Sequence, residues 1–142
     1  MKANALLEQF QLQMEALARE SNWRLLRYQE GHSDRAFELV NHPHAPFRFI
    51  VKVSQSSPGF WGLGIERAAS MIELPGEYLV LLEDDDDGYL INPVRLRALI
   101  KTFSRDAMNH DYKINEPKVR REQRFRSLEE LWDLILSKLP TP

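Results

Sequence analysis

Leu6, Leu7, Phe10, Met14 and Leu17 recur at helical spacing, which predicts an amphipathic helix over residues 3–20 laid on a core. The period then drops to two. "WRLLRY" (23–28) reads as a strand, Gly31 with Ser33 and Asp34 as a turn, and "RAFELV" (35–40) as a second strand. "NHPHAP" (41–46) turns the chain again, and "FRFIVKVS" (47–54) is the clearest strand of the set. Along it Phe47, Phe49, Val51 and Val53 share one face, while Arg48, Ile50, Lys52 and Ser54 share the other.

The second half alternates in the same way. After a "SSPGFWGLG" loop, Ile65, Ala68, Ala69 and Ile72 mark a helix within residues 62–73, closed by Pro75-Gly76. "EYLVLLE" (77–83) is apolar on both faces, which suits a central strand covered on both sides. Asp87-Gly88 is a hairpin signal that returns the chain along "YLI" (89–91). Asn92 and Pro93 open a helix reaching about Phe103, with Leu96, Leu99 and Ile100 inward. "YKIN" (112–115) reads as an edge strand. "SLEELWDLILSKL" (127–139) reads as a last helix, with Ser127 and Glu130 spaced as a capping box. The fold class is therefore mixed α/β: an α-β-β-β-α-β core, helices on both sides of the sheet, and further C-terminal helices. Strands 47–54 and 77–83 flank a helix and should be parallel, and the first three strands should form an antiparallel meander. No repeat or linker interrupts the 142 residues, so a single domain over 1–142 is expected.

Composition narrows the chemistry. There is no cysteine, which excludes disulfides, Cys-ligated zinc and thiol catalysis. No signal peptide and no apolar run of membrane-spanning length is visible, so a cytoplasmic protein without a membrane partner is expected. The net charge of −2 is unevenly spread. Residues 1–93 carry 8 basic and 14 acidic side chains, whereas residues 94–142 carry 11 basic and 7 acidic.

That basic half contains "KVRREQRFR" (118–126). Lys118, Arg120, Arg121 and Arg124, with Arg95 and Lys101 from the preceding helix, are candidates for a phosphate-binding face toward DNA or RNA. An ordinary solvated, salt-bridged surface is the competing reading. Phe60 and Trp61 stand among Gly59, Gly62 and Gly64, where two large aromatics either pin the loop to the core or meet a base or a protein partner. The glycine spacing fits neither a P-loop nor a dinucleotide fingerprint. The run Glu83 to Asp87 fails as a calcium loop, because Val94 stands where a bidentate glutamate is needed, and reads as a solvated hairpin tip. His32, His42 and His44 fall short of a zinc ligand set.

The order of elements resembles the core of the PD-(D/E)XK nuclease-like superfamily, which includes restriction endonucleases and Holliday-junction resolvases. The likeness is strongest over residues 34–96, through "FRFIVKVS" and "GEYLVLLEDDDDGYLINPVRL", whose Tyr89, Ile91 and Pro93 give a Y-x-I-x-P segment. The resemblance implies a metal-dependent cutting site: an acid on the second strand and an acid-x-lysine on the third. Lys52 matches the lysine, but Ile50 stands in place of the motif acid. Asp34 or Glu38 would supply the second-strand acid, Glu8, Glu15 or Glu20 an acid from the first helix, and Glu66 a displaced carboxylate. Were these to cluster near Lys52, Mg²⁺ would be the implied cofactor; otherwise none is expected. Without the resemblance, Lys52 reads as a strand-end lysine with its ammonium in water. The resemblance thus implies a nucleic-acid-associated protein of degenerate catalysis. The alternative is an adaptor that uses the Phe60-Trp61 loop on a protein.

Overall fold

A computed structural model describes residues 3–30, 34–54, 56, 58–73 and 76–139, the side chains of 29, 30 and 34 excepted. Gly31, His32, Ser33 and Pro75, named above as turn or ligand candidates, lie outside the described residues.

The chain runs α1 (Ala3–Glu20), β1 (Arg24–Glu30), β2 (Asp34–Asn41), β3 (His44–Val53), β4 (Phe60–Leu63) and α2 (Ile65–Glu73). It continues through β5 (Glu77–Leu82), β6 (Gly88–Ile91), α3 (Pro93–Ile100), β7 (Ser104–Arg105) and β8 (Tyr112–Asn115). Last come α4 (Glu116–Val119), β9 (Gln123–Phe125) and α5 (Leu128–Leu136). Six strands form one sheet in the order β1-β2-β3-β5-β6-β9, and three more form a second sheet in the order β4-β8-β7. In the larger sheet β3 and β5 are parallel and the remaining pairs antiparallel, as the α2 crossover requires.

Strand parity divides the interior into two cores. Phe47, Phe49, Val51 and Val53 of β3 pack with α1 and α5, where Phe10, Phe37 and Phe49 stand 5.5–6.4 Å apart in tilted and edge contacts. Ile50, between Phe49 and Val51, faces the opposite core with Ala36, Leu79, Leu81 and Ile91, beneath α2, α3 and the smaller sheet. Both helix caps form. Asn92 Oδ1 accepts from the Arg95 amide at 2.8 Å, and Ser127 Oγ from the Glu130 amide at 3.1 Å. Gly88 is required by contact, since a Cβ there would lie 1.9 Å from the Leu81 carbonyl oxygen.

Three local expectations change. Phe60–Leu63 is a strand, so the helix after the loop begins only at Ile65. Tyr112–Asn115 is the middle strand of the smaller sheet rather than an edge. Gln123–Phe125, inside the basic run, is itself an edge strand of the larger sheet. Among the described residues no helix is long and apolar enough to cross a membrane.

Candidate functional site

Lys52 sits near the end of β3, in register with Asp34 on β2 and Leu81 on β5. The structure thus sets the Asp34 backbone opposite Lys52; the Asp34 side chain lies outside the described part. Lys52 is 7% exposed, so most of its side chain is covered by its neighbours. Ile50 is fully buried in apolar surroundings. Glu38 is four residues from Asp34, roughly 13 Å along an extended strand. There it accepts from Arg48 Nε at 2.6 Å. Glu66 is exposed in the first turn of α2.

The glutamates of α1 belong to the other side of the sheet, because α1 packs on the Phe37 and Phe49 face. Glu8 there accepts from Arg35 Nη2 at 2.8 Å and Arg27 Nη1 at 3.2 Å, and the Arg35 guanidinium holds its carboxyl below the ordinary value of 4.5. Glu15 accepts from Gln11 at 2.9 Å, and Glu20 is exposed. Among the described residues no three acidic or histidine side chains come together as metal ligands. With Ile50 at the motif position and Glu38 paired with Arg48, the described side chains assemble no Mg²⁺ donor set of the kind the resemblance implies.

The aromatic loop divides its two rings between inside and outside. Trp61 is 1% exposed, and its Nε1 donates to the Leu82 carbonyl at 3.0 Å. The ring meets Tyr89 edge-on at 6.4 Å and covers Gly59, where a Cβ would lie 2.4 Å from the indole. The loop backbone is held from two strand ends, Glu83 accepting from the Gly59 amide at 3.1 Å and Ser54 Oγ from the Phe60 amide at 2.9 Å. Phe60 points the other way and is 45% exposed. A partner-facing role for Trp61 is therefore corrected: only Phe60 presents a ring to solvent.

The basic residues separate into braces and open cations. Arg124 lies 4.7 Å over the Tyr89 ring and reaches Asp87 at 2.7 Å and Glu83 at 3.2 Å. It fastens β9 to the β5–β6 hairpin and offers little to a ligand. Glu83 and Asp87, read in sequence as parts of a solvated tip, are its anchors. Arg95 meets Glu122 at 2.7 Å, and Arg120 meets Glu116 at 2.8 Å. Glu116 also accepts from the Tyr89 hydroxyl at 2.8 Å, and Arg120 first, then Tyr89, hold its carboxyl below 4.5. The Glu116–Arg120 spacing of four residues on a helix was a readable signal; the Arg95–Glu122 pair, 27 residues apart, was not.

Arg95, Lys118, Arg120, Arg121 and Glu122 line an open groove of about 490 Å³ between α3 and the segment 117–122, with Leu99 on its apolar side. After Glu122 and Glu116 are set against Arg95 and Arg120, Lys118 and Arg121 remain. Both are exposed, with no ion-pair partner among the described residues. Lys101 is exposed beside Thr102, a residue of the groove wall, and lies outside the lining itself. Such a groove can hold an extended anion by charge, with two unneutralised cations and two arginines already oriented by carboxylates. No protein-family model, curated protein or solved structure matches the chain.

Proposed function

We propose that this chain is a nucleic-acid-associated protein that holds a phosphate backbone in the groove between α3 and residues 117–122. In this reading its sheet is a restriction-endonuclease-like scaffold whose cutting site is degenerate. The observation that carries the reading is the convergence of Arg95 with Lys118, Arg120 and Arg121 from separate chain segments on one groove, where two cations have no counterion among the described residues. Degeneracy is supported by Ile50, buried at the motif position, and by Glu38, which sits opposite Arg48 rather than Lys52 and pairs with it. The scaffold assignment rests on the order helix, three antiparallel strands, helix, parallel strand.

The test is binding of a fluorescent 20-nucleotide strand to the wild type and to Lys118→Glu/Arg121→Glu. The wild type should bind at low salt, and the charge-reversed protein should bind at least about ten-fold more weakly, because like charges then face the phosphates. Equal binding by both would remove the groove from the reading. Incubation with Mg²⁺ should leave the strand intact, and specific cleavage by the wild type would overturn the degeneracy.

A further inference from the structure

The smaller sheet adjoins the groove at two points. Thr102 of the groove wall leads into β7, and Pro117 of the wall follows β8 by two residues. Strand parity sorts this sheet cleanly. Trp61, Leu63 and Ile114 face the core, so Phe60, paired with Asn115, and Gly62, paired with Lys113, face outward. Ser104 pairs with Lys113 on that same outer side. Phe60 is thus an exposed ring beside an exposed Asn115, one strand away from the chain that enters the groove. Gly62 leaves the neighbouring surface bare, since a Cβ there would meet nothing within 4 Å. The Glu116 carboxylate beside this platform is engaged by Arg120 and Tyr89.

An open aromatic face next to a cationic groove is the arrangement that unpaired nucleotides require. The backbone follows the charges while a base, freed from a duplex, lies on the ring. A duplex keeps its bases stacked internally and can use only the groove. We infer that the outer face of the β4-β8-β7 sheet stacks an unpaired base on Phe60, with Lys113 and Asn115 beside it. The protein then prefers single-stranded over duplex nucleic acid. This rests on the groove reading above.

The test compares a fluorescent 20-nucleotide oligothymidylate with a 20-base-pair duplex, measured by anisotropy on the wild type, Phe60→Ala and Phe60→Trp. Wild-type protein should bind the single strand about ten-fold more tightly than the duplex. Phe60→Ala should lose about ten-fold on the single strand and nothing on the duplex. Phe60→Trp should keep the preference. A single-strand affinity indifferent to Phe60→Ala, or an equal loss on both probes, would overturn the stacking while leaving the groove in place. It would return Phe60 to the role of a protein contact. Failure of the wild type to bind either probe would overturn the groove reading, and the inference with it.

Discussion

The indole Nε1 of Trp61 donates to the Leu82 carbonyl across 3.0 Å, tying the loop after β3 to the end of the parallel neighbour strand β5. The same carbonyl accepts from the Ser54 amide at 2.8 Å, so three chain segments meet on one oxygen. Trp61→Ala should lower the unfolding free energy by about 3–5 kcal/mol, since the ring is buried and leaves a cavity over Gly59. Phe60→Ala, one residue away and exposed, should change it by less than about 1 kcal/mol. Urea unfolding of the two variants separates these outcomes, and a wild-type midpoint for Trp61→Ala would show that the loop is not pinned by its ring.

Ile50 has the same buried status as its neighbours although it stands where the motif acid would be. Ile50→Asp should therefore cost roughly 2–7 kcal/mol, the expense of placing a polar group among Ala36, Leu79 and Leu81 without water. Thermal melting reads this directly. A variant as stable as the wild type would mean that the Lys52 face already accommodates a carboxylate, and the degeneracy would be in doubt.

Arg35 is 2% exposed, with Nη2 donating to Asn4 Oδ1 at 2.6 Å and to Glu8 at 2.8 Å. Because the folded state lowers the Glu8 pKa, the contribution of this pair is whole above the ordinary value of 4.5 and fades as pH falls through the lowered one. Glu8→Gln should reduce stability at pH 7 and converge with the wild type at acid pH. Denaturant midpoints taken at pH 7, 5 and 3 check the sign: a gap that widens toward pH 3 would contradict it.

Much of the larger sheet was legible because its signals are local. Phe47, Phe49, Val51 and Val53 alternate with a second set, and two turns and one crossover then leave few topologies. The smaller sheet was hidden for the opposite reason. Phe60–Leu63 is four residues long with a glycine inside it, and its partner Tyr112–Asn115 lies about fifty residues downstream, so neither segment advertises the other. Gln123–Phe125 is shorter still and reads as part of a charged run, because Arg124 takes its place through Glu83 and Asp87 from a distant hairpin. For the site, residue types alone marked Arg95, Lys118, Arg120 and Arg121. They could not show that Arg124 is a brace, or that Glu122 and Glu116 occupy two of the arginines.

The salt dependence of strand binding bears most directly on the groove. Lys118 and Arg121 are exposed and outside the packing, so Lys118→Ala/Arg121→Ala should melt like the wild type. Each phosphate contact on a single strand contributes about 0.7 to the slope of log K against log salt, so loss of both cations should flatten the slope by about 1.4. Anisotropy titrations of the 20-nucleotide strand from low to moderate salt measure it. A slope reduced by about that amount is the predicted result, and a slope unchanged in a folded double variant would contradict the groove as the phosphate site.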